Sequence, residues 1–158
     1  MNEAGADVIE REIRIAARPE VVFSFFTDPA KMVLWKGMTA ALDPRPGGIY
    51  RVNVTGRDIA SGNYTEITPF TRIVFTWGWE NSPIPPGSTT VEVDLTPDGD
   101  GTLLRLRHRG LTGVTVEEHA MGWDHYLPRL AEVAGGGDPG ADPWIQVPPQ
   151  DVTHAPQP

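Results

Sequence analysis

Cysteine is missing from this 158-residue chain, which excludes disulfides and thiolate metal sites. Long apolar runs are missing too. None approaches the roughly 20 residues of a membrane-spanning helix, so no membrane insertion is expected. The opening MNEAGADVIEREIRI has neither the basic start nor the apolar stretch of a signal peptide, and the expected location is cytoplasmic. Basic charge is scarce: 13 Lys and Arg stand against 21 Asp and Glu, for a formal net charge of -8. A domain that grips phosphates carries a basic face, so nucleic acid is not an expected partner. No H-x-H or HExxH cluster occurs, and His119 and His125 lie six residues apart, far around a helix from one another. No metal and no cofactor are therefore expected. Nucleophile elbow, phosphate loop and dinucleotide fingerprint are also lacking. PRPGG is no phosphate loop, because no helix follows it.

What is present reads as one α+β domain followed by a tail. VIEREIRIA (8–16) alternates as a first strand, and RPEVVFSFF follows with Val22, Phe23 and Phe26 on one helical stripe. Asp28 caps a second short helix with Pro29 at its first position, running to about Trp35. Strands are predicted over 38–43, 49–55, 57–67, 72–80, 89–96 and 102–110, with 81–88 as a loop and PDGDG as a hairpin turn.

The last hairpin has a testable register. Pairing Asp94 with Arg105 and Glu92 with Arg107 sets acid against base outside. The same register puts Val93 against Leu106 and Leu95 against Leu104 inside, with His108 beside Val91 on the apolar face. From Val116 the residues Ala120, Trp123, Leu127, Leu130 and Ala134 continue one apolar stripe of a long helix, and Thr115 with Glu118 predicts a capping box. Pro128 sits inside that helix and predicts a bend along a curved sheet. A curved antiparallel sheet and one long helix bury their apolar faces on each other. They do not fill the space between them, and the remainder is expected to be a cavity. Residues 1–134 form the domain in this reading, and 135–158 form a Gly- and Pro-rich tail of little regular structure, with Trp144 and Ile145 able to dock on the body.

This element order, with RPEVVFSFFTDPAKMVLW, DPRPGGIYRV, GNYTEITPFTRIVFTWGWE and MGWDHYLPRL, resembles the START/Bet v 1-like (SRPBCC) superfamily over about Val8 to Val133. The branch it is most similar to comprises bacterial proteins like the C-terminal domain of the activator of Hsp90 ATPase. The resemblance implies a helix-grip fold, with about seven strands and two short helices under the long one. For function it implies ligand carriers, cyclase-like enzymes or co-chaperone domains.

Aromatic residues supply the candidate cavity wall: Trp35, Tyr50, Tyr64, Trp77, Trp79, Trp123 and Tyr126, with Leu127 on the helix stripe. Trp35 and Trp79 end their elements and so suit a wall, whereas Phe75 suits the core. His108 on the apolar face, and His119 one turn before Trp123, are candidate polar handles. Glu66 faces inward in one register of its hairpin and outward in the other. Gly78, between two tryptophans, marks a bend at the sheet edge or a close backbone approach.

The leading reading is a module that binds a small, mostly hydrophobic molecule. The alternatives are a polyketide cyclase-like enzyme using His108, Tyr126 and Glu66, and an interaction protein of an Hsp90-type chaperone. The eukaryotic activators have an additional N-terminal domain for which this chain has no room, so chaperone stimulation is not expected. A homodimer is compatible with the sequence.

Overall fold

The computed structural model describes residues 8–146. The elements run β1 (Ile9–Ile15), α1 (Pro19–Thr27), α2 (Pro29–Met32), β2 (Thr39–Leu42), β3 (Ile49–Asn53), β4 (Ile59–Thr68), β5 (Arg72–Trp79), β6 (Thr89–Asp98), β7 (Gly101–Arg109) and α3 (Val114–Ala134). The seven strands form one antiparallel sheet in the order β1-β7-β6-β5-β4-β3-β2. The two short helices bridge the sheet's outermost strands, and α3 packs beside β1 and α1. This is the α+β helix-grip arrangement. Among the described residues no helix is long and apolar enough to cross a membrane.

The β6–β7 register is the one that the alternation demands: Val91 faces His108, Val93 faces Leu106 and Leu95 faces Leu104. Gly99 begins the turn at φ +61°, a conformation open to glycine. The outer charges find other partners than expected. Both strands are interior, so flanking strands compete for their charges. Arg105 pairs with Glu12 at 3.0 Å and Arg107 with Glu10 at 3.2 Å, both on β1. Asp94 pairs with Arg72 of β5 at 2.8 Å, and Glu92 with Arg109 and Arg72.

One local expectation is corrected at α3. The capping box does not form: Gly113 is the N-cap, and the Thr115 hydroxyl turns back to the Thr112 carbonyl. The helix runs from Val114 to Ala134 with Pro128 inside it, as the stripe predicts. Its buried residues are Trp123, Tyr126, Leu127 and Leu130, so Tyr126 joins the inward face. Arg11 of β1 clamps the polar side by donating to both carboxylate oxygens of Asp124, at 2.6 and 3.2 Å.

The middle of the sheet is solidly packed. Tyr50 stacks on Phe75 with centroids 4.1 Å apart, and Tyr64 meets both rings edge-on. The last carbonyls of α1 need donors, because a helix end leaves them unpaired. The Tyr64 hydroxyl donates to Phe26 O at 2.8 Å, and the Trp35 indole donates to Phe25 O at 3.0 Å.

Beyond α3 the chain has no further helix or strand up to residue 146, yet it lies on the body. Arg129 donates to the carbonyls of Trp35, Pro139 and Gly140. Trp144 stacks on His125, with centroids 3.8 Å apart and planes 11° apart. The expected tail continues through 147–158, which lies outside the described residues.

Candidate functional site

The gap between sheet and helix is a half-enclosed cavity of about 270 Å³ at one end of the sheet. Its walls are Trp77 and Trp79 from β5, Val54, Thr55 and Asp58 from the β3–β4 loop, Glu118, His119, Gly122, Trp123 and Tyr126 from α3, Lys36 after α2, and Trp144. The volume lies just below the range of about 300–1,000 Å³ seen for drug-sized ligands. A wider groove of about 580 Å³ runs along the far side of Lys36. Glycines and the backbone of 137–142 make up much of it, and the aromatic walls belong to the smaller cavity.

Of the side chains proposed from the sequence, Trp77, Trp79, His119, Trp123 and Tyr126 come together on this wall. Trp35, Tyr50 and Tyr64 do not: all three fill the core, and Trp35 and Tyr64 hold the end of α1. Leu127 is buried in the core one residue beyond the wall, and His108 lies behind it. Glu66 points to solvent and accepts from Arg72 at 3.1 Å. A bulge between Tyr64 and Glu66 explains its facing. One extra residue lets Tyr64 point inward while Glu66 points outward, a combination that neither regular register provides.

Gly78 marks a close approach, not a bend. A Cβ there would stand 1.8 Å from the Pro85 carbonyl. The 81–88 loop folds back onto β5, and Trp79 N–H donates to Ile84 O at 2.7 Å.

The two histidines hold indole rings. Trp123 Nε1–H donates to His108 Nδ1 at 3.1 Å, so the proton of His108 sits on Nε2, facing Thr89 Oγ1 at 2.9 Å. The Thr89 hydroxyl in turn donates to Trp77 O at 2.7 Å. Trp79 Nε1–H donates to His119 Nε2 at 2.8 Å, which leaves His119 Nδ1–H for the Thr115 carbonyl at 2.7 Å. Burial pushes His108 down to about 3 and also lowers His119. Both rings are neutral, with each nitrogen engaged. Tyr126 donates to Asp142 at 2.7 Å, and burial raises its pKa. The trio of His108, Tyr126 and Glu66 therefore does not converge.

Lys36 is the group that the sequence reading passed over. Its residue is 4% exposed. Nζ lies 4.2 Å from the Trp123 ring centroid, 5.7 Å from those of Trp77 and Tyr126, and 5.9 Å from that of Trp35. Such distances place a cation inside an aromatic cage. Gly37, at φ +96°, turns the chain immediately afterwards. Desolvation lowers the Lys36 pKa to about 7. The signal for it in the sequence is faint: the chain has two lysines, Lys31 and Lys36, and the second stands between Trp35 and Gly37.

Asp142 pins the segment that carries Trp144. It accepts from Tyr126, from Trp144 N–H at 2.9 Å and from His125 Nε2 at 2.8 Å. Burial raises its pKa, but these hydrogen bonds outweigh burial and leave it below the ordinary carboxylate value.

Comparison with known proteins places this geometry. The chain is 48% identical to an AHSA1-like protein of Rhizobium etli, with 89% of each chain covered and a TM-score of 0.70. It is 29% identical to CalU16 of Micromonospora echinospora, over 82% of this chain and 76% of that one, with a TM-score of 0.68. It is 25% identical to an Hsp90 activator of Plasmodium falciparum, over 81% and 96%, with a TM-score of 0.67. No curated protein matches the chain. The profile of the activator of Hsp90 ATPase homolog 1-like proteins matches residues 16–135, and the chain belongs to that family within the SRPBCC superfamily.

Proposed function

We propose that this protein binds a small, mostly apolar molecule in the cavity at the end of the sheet. The observation that supports this best is the wall itself: Trp77, Trp79, Trp123 and Trp144 around one opening. Large apolar surfaces with a few placed polar groups are the usual make-up of a small-molecule site. Two of these indoles are fixed by histidines that have no free nitrogen left, so the wall is rigid before a ligand arrives. Preorganisation of this kind reduces the ordering cost of binding.

The test is native mass spectrometry of freshly purified protein, followed by two-dimensional NMR of the indole N–H signals against a panel of small aromatic and alicyclic compounds. A co-purifying molecule, or saturable shifts of the Trp77, Trp79 and Trp123 signals, is expected. Indole signals unmoved across the panel, with no co-purifying mass, would remove the proposal.

A further inference from the structure

Lys36 makes the chemistry of the occupant more specific. This inference rests on the cavity-binding reading above. Among the described residues no carboxylate pairs with the Lys36 amine, and burial lowers its proton affinity. Trp77 Nε1 is likewise buried without an acceptor. The other polar atoms nearby are already engaged: His108 and His119 on their indoles, the Tyr126 hydroxyl on Asp142, and Asp58 on the Thr55 hydroxyl. Asp58 and Glu118, both exposed, add negative charge to the same wall.

We infer that the Lys36 amine forms a reversible imine with a neutral, apolar aldehyde or ketone held in this cavity. A neutral carbonyl compound is favoured over a carboxylic acid because an entering anion meets Asp58, Glu118 and a chain of net charge -8. The amine is suited to attack. Desolvation in a hydrophobic pocket raises the share of unprotonated, nucleophilic lysine at neutral pH. Its lone pair forms the C–N bond as the carbonyl π bond opens, and the oxygen takes up a proton to give a carbinolamine. The nitrogen loses a proton to water. The carbinolamine hydroxyl takes up a second proton from solvent and leaves as water, and the nitrogen lone pair closes the C=N bond to give an iminium ion. That cation occupies the position of the original ammonium, so the rings of Trp123, Trp77, Tyr126 and Trp35 stabilise the product as they do the free lysine. The departing water and the exchanged protons have a path to solvent past Asp58 and Glu118.

The chain supplies its own control, because Lys31 is its other lysine and lies outside the cavity wall. The protein is incubated near neutral pH with benzaldehyde or cinnamaldehyde and sodium cyanoborohydride, which reduces an iminium to a stable amine. Peptide mapping then compares the two lysines. Lys36 is expected to be alkylated more than about tenfold faster than Lys31, and Lys36→Met to leave Lys31 as the one alkylated lysine beside the N-terminal amine. Equal labelling of both lysines, or none at Lys36, overturns the imine. Benzyl alcohol, which lacks the carbonyl, separates this failure from failure of the cavity reading. If benzyl alcohol shifts the wall indoles but Lys36 stays unmarked, the cavity binds and the imine is wrong. If neither these compounds nor the panel above shifts them, and no mass co-purifies, both readings fall.

Discussion

The Lys36 ammonium lies 4.2 Å from the centre of the Trp123 ring. An unpaired charge taken out of water destabilises a fold, and four aromatic faces return only part of that loss. A pKa lowered to about 7 from 10.5 means that the folded state disfavours the charged form. This group's contribution is therefore most favourable above the unfolded value. It diminishes as pH falls towards 7 and is constant below. Lys36→Met is expected to raise the unfolding free energy by about 2 kcal/mol at neutral pH, the pKa shift being partly offset by the cage. The wild type should also gain stability between pH 7 and 10 relative to the variant. Urea titrations of both proteins at the two ends of that range check the sign.

His108 predicts acid sensitivity. Its folded pKa, about 3, is depressed below the ordinary imidazole value of 6.5, so it stabilises the fold above the unfolded value. That contribution is lost as pH falls from 6.5 towards 3, at up to about 1.4 kcal/mol per pH unit. His108→Gln keeps a donor and an acceptor but does not titrate. It should lose about 1–3 kcal/mol at neutral pH through poorer hydrogen bonds to Thr89 and Trp123. Its thermal midpoint should then vary less with pH than that of the wild type between 6.5 and 4. Parallel slopes in differential scanning calorimetry would refute the assignment.

Asp142 should govern the segment that carries Trp144. Asp142→Asn weakens charge-assisted bonds from Tyr126 and His125, at a cost of about 1–2 kcal/mol. Because its folded pKa is depressed, the wild-type contribution is present above the ordinary carboxylate value and disappears as pH drops below it. Hydrogen exchange should show the Trp144 amide opening faster in the variant, while the β6–β7 amides keep their protection.

Gly78 predicts a steric failure. In Gly78→Ala the new Cβ would stand 1.8 Å from the Pro85 carbonyl, so the 81–88 loop must move and the bond from Trp79 N–H to Ile84 O must stretch or break. A loss of about 3 kcal/mol is expected from this overpacking. Chemical denaturation measures it, and the Trp79 indole signal should shift with it.

The fold was legible in the sequence because its cues are periodic. The β6–β7 register followed from alternation alone, and the stripe from Val116 to Ala134 located the long helix. The ion pairs were assigned to the wrong partners because a two-strand argument does not know that β1 and β5 lie on either side. Glu66 was undecidable because a bulge obeys neither register. The wall residues on β5 and α3 could be proposed because those elements alternate regularly. Trp35, Tyr50 and Tyr64 looked equally suitable, since an aromatic side chain carries no mark of whether its neighbour is a void or the end of α1. Lys36 was missed for the opposite reason. Its environment is assembled from α3 and β5, far along the chain, and nothing within a few residues announces it.

Trp144 lies outside the span that defines the family, residues 16–135. One side of the chamber is thus furnished by a short appendage that takes no part in closing the sheet. On the binding reading proposed above, redesigning this appendage retunes which compounds are admitted while the sheet's own pairing is left untouched. The stretch that tunes selectivity and the stretch that builds the sheet are then separate parts of the same chain.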